Sequence, residues 1–301
     1  MRGDGRTEGL ALLGRARDVF ASRAGSVSAL YPAQANLFLA EALIDSGELE
    51  SAREPMAAAT ALFRDKVERS HPHAVAQLIQ ARFHSECGAY DAAHCILEET
   101  QTERRRTAGP DHPLTASVAN RIGLNHLRRQ DFARARAAFE SVLGSEDQGE
   151  EVWGSVKHMA RVNLAVVQLE EGYVAQALPA LQGHLAHYRV APESAHNSIT
   201  EAALSLHVGR ALLLHGQPQE ALPLLQRCTV ILAENYPKSP ALAQSRSWLG
   251  LCCLALGDAP QARALAELAH AALDAQPSAG IHYRRSLALL TERLAADPAP
   301  R

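Results

Sequence analysis

The segments "SGELESA" (Ser46 to Ala52) and "CGAYDAA" (Cys87 to Ala93) share one pattern, in which a Gly is followed by any residue, an apolar residue, two variable residues and an Ala. The same pattern returns four more times along the chain, once with Gln in place of the Gly. The residues at the Gly position are Gly47, Gly88, Gln130, Gly172, Gly216 and Gly257. Their separations are 41, 42, 42, 44 and 41 residues, and so regular a spacing predicts an array of structural repeats.

Two further positions keep their character relative to this turn residue. The residue seven positions before it is always small: Ala40, Ala81, Gly123, Ala165, Gly209 and Gly250. The residue nine positions after it is always apolar: Met56, Leu97, Phe139, Leu181, Leu225 and Ala266. A small residue lets two helix backbones approach closely, and Gly tolerates the positive backbone angle that ends a helix. The pattern therefore predicts units of a helix, a short turn and an antiparallel helix, which must stack because neither helix buries its apolar stripe alone.

Composition agrees with a helical array, because Ala, Leu and Arg dominate and aromatic residues make up only 5% of the chain. We therefore predict an all-α fold in which residues 1–301 form a single solenoid. Residues 1–25 are predicted to be the second helix of an incomplete first repeat, and residues 281–295 a C-terminal capping helix. Between them, the six predicted helix pairs span about residues 30–67, 72–106, 113–143, 154–188, 198–234 and 240–275.

The spacing of the small residue, the Gly, the aromatic or aliphatic residue and the Ala resembles the tetratricopeptide repeat. The usual unit of that family is ~34 residues long, and the longer period here is similar to the variant found in kinesin light chains and in many bacterial proteins. The resemblance covers essentially the whole chain. It implies a right-handed α-α superhelix in which the first helix of each unit lines a concave groove.

The resemblance also implies which residues face that groove, namely those thirteen, ten, six, three and two positions before the turn residue. From these we take as candidate peptide-binding residues Gln34, Glu41, Arg82, Glu86, Asn120, Arg128, Val162, Val166, Leu206 and Arg210. The predicted groove is polar in its N-terminal half and apolar in its C-terminal half, which suits a peptide with an apolar end and an acidic element near Arg82, Arg128 or Arg210. The alternative is that some of the apolar members are buried by long helices of the chain itself, or by self-association that gives a homo-oligomer.

A protein of this kind is expected to be a non-enzymatic scaffold that binds a peptide or a partner domain. The alternative is a C-terminal regulatory or sensor region of a larger bacterial Ser/Thr kinase or transcriptional regulator, with the catalytic or DNA-binding domain outside this chain. The sequence holds no Gly-rich phosphate loop, nucleophile elbow or paired-His zinc-protease motif. No catalytic residues and no cofactor are therefore predicted.

Charge and cysteine usage bear on the partners and the compartment. The formal net charge of −3 provides no electrostatic footprint for nucleic acid. No segment reaches the ~18 apolar residues of a membrane span, so no membrane partner is predicted. Five cysteines without framework spacing favour reduced thiols in a cytoplasmic protein.

One group of residues has the composition of a metal site. His84, Cys87, His94 and Cys95 gather two imidazoles and two thiols within twelve residues, across the helix, turn and helix of one unit. Ordinary packing beside a surface His and a surface Cys is the alternative, and it is the one we favour. No metal ligand is therefore predicted.

In "TAGPDHPLTA" (Thr107 to Ala116) an Asp-His pair stands between two prolines. Pro113 lies seventeen residues before the turn residue Gln130, which places it in the first turn of a leading helix, where the missing N–H of proline costs nothing. We therefore predict that Asp111, like Ser70 in the preceding unit, caps a helix rather than serving catalysis. Replacement of Asp111 by Ala is then expected to cost roughly 1 kcal/mol of stability.

Overall fold

The computed structural model describes residues 3–23, 28–66, 71–144, 150–190 and 198–296, and within these ranges it consists of fourteen α-helices and no strand. The first helix, α1, spans Gly3–Ser22. Six helix pairs follow: α2 Leu30–Asp45 with α3 Leu49–Lys66, α4 His71–Glu86 with α5 Tyr90–Thr107, α6 Pro113–Arg129 with α7 Phe132–Leu143, α8 Glu150–Glu170 with α9 Val174–Val190, α10 Ser198–Leu214 with α11 Pro218–Asn235, and α12 Pro240–Ala255 with α13 Ala259–Asp274. The last helix, α14, spans Ile281–Ala296. The prediction of an all-α solenoid of helix pairs is confirmed.

The helix bounds follow the sequence pattern closely. They differ from the predicted ranges by four residues at most, at the start of α8. Consecutive helices of each pair pack against each other, and each pair packs against the next. No helix in the described part of the chain is both long enough and apolar enough to cross a membrane.

All six predicted turn residues have a positive φ angle. The values are 74° at Gly47, 78° at Gly88, 69° at Gln130, 88° at Gly172, 83° at Gly216 and 86° at Gly257. At every one of these turns the N–H of the next residue donates to the carbonyl oxygen five positions earlier, as Glu48 does to Leu43 at 2.8 Å. This bond closes the helix in a left-handed cap. The same geometry at Gln130 identifies the substitution of Gln for Gly as a variant of the same turn.

The predicted close approach of the paired helices is also present. The Ala five residues after each turn residue is fully buried in all six units. A Cβ atom added to Gly123 would lie 2.5 Å from the Phe139 ring, and one added to Gly209 would lie 2.8 Å from Leu225. Gly250 differs, because a Cβ atom there would lie 2.6 Å from Leu290. In the last unit, the small residue therefore lets α12 approach α14.

The prediction that Asp111 caps α6 is wrong, because His112 is the capping residue. Its Nδ1 atom accepts a hydrogen bond from the N–H of Leu114 at 3.1 Å. A capping side chain must reach an N–H of the first helical turn, so it stands directly before the first helical residue, Pro113, and Asp111 lies one position too early. Ser239 caps α12 in the same way, whereas Ser70 lies outside the described residues.

The two ends of the array contact each other, which the repeat pattern does not predict. The Nζ atom of Lys238, between α11 and α12, lies 2.8 Å from a carboxylate oxygen of Glu48. The N–H of Ser278, between α13 and α14, donates to the Glu50 carboxylate at 2.7 Å. The next link is the N–H of Gly280, which donates to the carbonyl oxygen of Glu86 at 2.8 Å. The array therefore curves until the α11–α12 and α13–α14 connections rest against its first two full units, and it encloses a central space.

Candidate functional site

The space enclosed by the array is a cavity of about 640 Å³. Its wall contains residues from the first helix of every unit, that is from α2, α4, α6, α8, α10 and α12, as the family resemblance implies for a groove. Three further helices contribute to it, one of them α3 through its first residue, Leu49. Helix α11 supplies apolar side chains, and α14 supplies a polar face. The closing helix is thus part of the wall and not only a cap on the core.

Six of the ten candidate groove residues line this cavity. They are Arg82, Glu86, Arg128, Val166, Leu206 and Arg210. The other four lie away from it. Gln34 and Glu41 are half-buried on α2, and Val162 is half-buried against the largest core cluster. Asn120 is buried and accepts a hydrogen bond from the side chain of Asn163 at 3.1 Å.

The three candidate arginines of the cavity are each engaged in an ion pair with the preceding unit. The pairs are Arg82 with Asp45 at 2.6 Å, Arg128 with Glu86 at 2.6 Å, and Arg210 with Glu170 at 2.5 Å. The Arg210 guanidinium also lies 4.6 Å from the centre of the Trp248 ring, a cation–π distance. These arginines join consecutive repeats, and their charge is already balanced within the chain.

Glu86 is the point at which three helices meet. Its carboxylate pairs with Arg128 of α6 and accepts a hydrogen bond from the Tyr283 hydroxyl of α14 at 2.5 Å. His282 lies 3.8 Å from the same carboxylate. Burial by itself would raise the pKa of Glu86, but Arg128 and His282 hold it well below its usual value. Glu86 is therefore a carboxylate at any physiological pH, and it anchors α14 to the front of the array.

Arg285 of α14 is a cavity residue of a different kind. It is half-buried, and its Nη2 atom donates to the carbonyl oxygen of Arg128 at 2.9 Å. Among the described residues it has no carboxylate within ion-pair distance. The neighbouring Ser286 is 4% exposed. The Oγ atom of Ser286 has no hydrogen-bond partner in the described part of the chain.

His207 of α10 lies in the wall as a neutral imidazole. Burial lowers its pKa to about 3, and the positive charge of Arg210 acts in the same direction. Its Nδ1 atom is buried and is without a hydrogen-bond partner among the described residues. The cavity thus presents a polar group that remains uncharged at neutral pH.

The sequence pattern missed several wall residues. His207 and Trp248 fall outside the five inward positions that the family resemblance implies, and the residues of α14 were treated as part of a cap. A signal existed in α14 for Ser286, which stands three residues after Tyr283 and so lies beside the apolar stripe of that helix, but Arg285, two residues after Tyr283, had none. Polar residues flanking the buried stripe of a capping helix indicate contact with the groove.

The four residues of the possible metal site are not arranged around a common point. His94 packs its ring against that of His126 at 5.0 Å, and its Nε2 atom lies 3.1 Å from Glu98. Cys95 is exposed. In the described ranges, no three or more His, Cys, Asp or Glu side chains form a group that could hold a metal ion.

Comparisons with known proteins agree with this geometry. Two family models, both described as tetratricopeptide repeat, match residues 120–192 and residues 243–267. A search of curated proteins found no match.

Three solved structures illustrate the likeness. NprR, a quorum sensor of B. thuringiensis, was solved with its cognate peptide NprX; it is 14% identical, with a TM-score of 0.61 over 96% of this chain and 82% of that one. PlcR of Bacillus thuringiensis, solved with the peptide PapR7 and DNA, is 14% identical, with a TM-score of 0.58 over 83% of this chain and 84% of that one. BtubC (BKLC) of P. vanneervenii is 15% identical, with a TM-score of 0.52 over 76% of this chain and 91% of that one.

At such identities the likeness to solved structures concerns the fold. The family matches show that the chain contains tetratricopeptide repeats in residues 120–192 and 243–267, and the positive φ at the turn residues repeats at the same period through all six helix pairs.

Proposed function

We propose that this chain is a non-enzymatic interaction scaffold that binds a peptide, or a short segment of a partner protein, in its central cavity. The observation that carries the proposal is the wall of that cavity, which combines apolar side chains with buried polar atoms that have no hydrogen-bond partner in the described part of the chain. Ile199 lies in the wall with 40% of its surface exposed, and Trp248 belongs to the same wall. Apolar surface with a few convergent polar groups is the usual composition of a ligand site.

The arrangement of ionisable groups supports binding rather than catalysis. Glu86 is ionised and paired with Arg128, and Tyr283 is protonated because burial and the neighbouring Glu86 raise its pKa well above its usual value. These groups form a structural network between helices. A general base poised near neutral pH would have a different environment.

The peptide as a ligand class has support from proteins of the same fold. NprR was solved with the peptide NprX and PlcR with the peptide PapR7, and both resemble this chain over most of its length. By analogy of fold, a peptide is the partner that we assign to the cavity. Cytoplasmic localisation, the absence of nucleic-acid binding by this region, and homo-oligomer formation remain predictions.

A regulatory role within a larger bacterial protein is the second candidate. It has one specific support, because PlcR was solved with both a peptide and DNA. In this reading, occupation of the cavity would change how the array presents itself to a kinase or DNA-binding domain. Comparison of kinase activity or DNA binding of the natural full-length product, with and without a cavity ligand, tests this candidate.

Blocking the cavity tests the main proposal. Ala203 lies in the wall of the cavity and is exposed, so Ala203→Trp fills the space without disturbing the core. Ala264, exposed on α13 and outside the wall, offers the matched control Ala264→Trp. The purified protein is incubated with a pool of random hexapeptides, and retained peptides are identified by mass spectrometry.

We expect peptides to be retained by the unmodified protein and by Ala264→Trp, and lost by Ala203→Trp. Equal retention by both variants would place binding on another surface. Retention of no peptide by any of the three proteins would contradict the proposed function itself.

A further inference from the structure

The charges in the cavity wall do not balance. The wall contains four arginines and three carboxylates: Arg82, Arg128, Arg210 and Arg285, with Asp45, Glu86 and Glu170. Each carboxylate is paired with one of the first three arginines. The remaining positive charge belongs to Arg285 on the closing helix.

Arg285 is also short of hydrogen-bond acceptors. A guanidinium has five N–H donors, and the one hydrogen bond found for Arg285 in the described ranges goes to the carbonyl oxygen of Arg128. That carbonyl oxygen replaces only part of the hydration that burial removes, and no carboxylate among the described residues lies within ion-pair distance of Arg285. A negatively charged group in the cavity would supply both the charge and the acceptors.

Further unsatisfied polar atoms lie on the same wall. Within the described residues, four cavity residues carry a buried side-chain atom without a hydrogen-bond partner: His207 (Nδ1), Arg210 (Nε), His282 (Nε2) and Ser286 (Oγ). Arg210 and Ser286 are themselves 6% and 4% exposed. Buried polar groups in folded proteins are nearly always paired. These groups add polar character to the wall that contains Arg285.

Part of the wall is apolar. Helices α10, α11 and α12 present Ile199, Leu206, Leu232 and Trp248 to the cavity. The volume of about 640 Å³ suits a ligand of a few residues and excludes a folded domain. The ligand therefore has an apolar body that contacts these side chains and a polar group that Arg285 of α14 can bind.

We propose that the cavity selects a short, mostly apolar peptide with one carboxylate, and that Arg285, with Ser286 beside it, binds this carboxylate. This inference rests on the proposed function and specifies the ligand for the same cavity. It also replaces the sequence-based expectation, because Arg82, Arg128 and Arg210 are committed to ion pairs between repeats. The selecting charge lies on the closing helix instead.

Three pools of N-acetylated hexapeptides of neutral residues test the charge requirement on the purified full chain. The first pool has a free C-terminal carboxylate, the second a C-terminal amide and a single Glu, and the third a C-terminal amide and no acid. We expect retention from the first or the second pool and not from the third. The preference between the first two identifies the C-terminus or a side chain as the source of the carboxylate.

The best retained peptide is then titrated into variants by calorimetry. Arg285→Gln removes the charge and is expected to weaken binding about ten- to a hundredfold, the value of a charge-assisted hydrogen-bonded pair. Arg285→Lys keeps the charge, and its affinity is expected to lie between those of the unmodified protein and Arg285→Gln. Arg293→Gln, exposed on the same helix, is the matched control and is expected to bind like the unmodified protein. Circular dichroism melting of each variant reports whether it is folded.

The outcomes separate the two proposals. Equal retention from all three pools would overturn the carboxylate requirement and leave peptide binding in place. If an acidic pool is retained but folded Arg285→Gln binds the peptide as tightly as the unmodified protein, the role of Arg285 is overturned. The same holds if Arg285→Lys and Arg285→Gln bind with equal affinity. Retention from none of the pools would contradict the proposed function.

Discussion

The contact between α14 and Glu86 of α4 leads to a prediction about the stability of Glu86 variants. In Glu86→Gln, Arg128 loses its carboxylate, and the hydroxyl of Tyr283 donates to a neutral amide instead of an anion. Removal of one partner of a buried ion pair costs about 3–5 kcal/mol. The Glu86 side chain is 9% exposed but that of Arg128 is 24% exposed, so some hydration of the arginine remains. We therefore expect a loss near the lower end, about 3 kcal/mol.

Urea unfolding followed by circular dichroism measures this loss at pH 7. The matched control is Asp91→Asn, in the next helix, whose ion pair with Arg129 is largely exposed. That exposed pair is expected to contribute less than about 1 kcal/mol. The double variant Glu86→Gln with Arg128→Met removes both buried charges, and it is expected to regain most of the stability because no unpaired cation is left.

The same pair gives a dependence on pH with a definite sign. Because the pKa of Glu86 in the folded chain is lowered below its usual value of 4.5, its contribution is complete above pH 4.5 and is lost as the pH falls through the folded value. The stability difference between the unmodified protein and Glu86→Gln should therefore shrink below pH 4.5. This account of how α14 is held would be refuted if Glu86→Gln lost no more stability than Asp91→Asn. It would also be refuted if the double variant recovered no stability.

Three further perturbations test other parts of the structure. Burial lowers the pKa of His207 to about 3, whereas in the unfolded chain this imidazole binds a proton below about pH 6.5. The unmodified protein should therefore lose stability relative to His207→Gln as the pH falls from about 6.5 toward 3. Urea titrations should show a loss of at most about 1.4 kcal/mol per pH unit. Gly123→Ala places a methyl group against the buried Phe139 ring of α7 and should lower the free energy of unfolding by about 1–3 kcal/mol. Gly183 on α9 has open space around it, so Gly183→Ala should raise the free energy of unfolding by about 0.5–1 kcal/mol. Thermal melts of the two variants measure both effects. Replacement of His112 by Ala should cost about 1 kcal/mol through loss of the α6 cap, and Asp111→Ala should be close to neutral in the same urea titration.

Each of these has an outcome that counts against it. A parallel pH profile for His207→Gln and the unmodified protein would mean that the imidazole is hydrated. Equal melting temperatures for the two glycine variants would remove the close helix approach as a cause. A larger loss for Asp111→Ala than for the His112 variant would restore the original assignment of the cap.

The helix pairs and their turns were predictable because their causes are local. The positive φ angle of a turn residue, the small residue seven positions earlier and the buried Ala five positions later all act within a single unit of about forty residues. Even Gln130, which lacks the freedom of Gly, could be placed from the spacing alone. The capping error had an equally local origin, since Asp111 and His112 both accept hydrogen bonds and only their positions relative to Pro113 distinguish them.

The candidate site was predictable only in part. Six of the ten proposed groove residues line the cavity, which follows from the resemblance to a repeat whose first helices face inward. The partners of Arg82 and Arg210 also had a sequence signal, because an acid stands two residues before the turn of the preceding unit, at Asp45 and Glu170. No comparable signal connects Glu86 to Tyr283, which is 197 residues away.

By itself, then, the sequence determined the repeat: its period, its turns, the faces that pack within and between units, and the identity of the inward helices. The tertiary structure alone decided that the array closes, that Tyr283 of α14 is bonded to Glu86, and that α14 brings Arg285 into the cavity wall, where no carboxylate of the described residues lies within ion-pair distance of it. The physical reason is that a small rotation between neighbouring units accumulates along the whole solenoid. Contacts such as that of Lys238 with Glu48 depend on the sum of these rotations, and no single repeat encodes that sum.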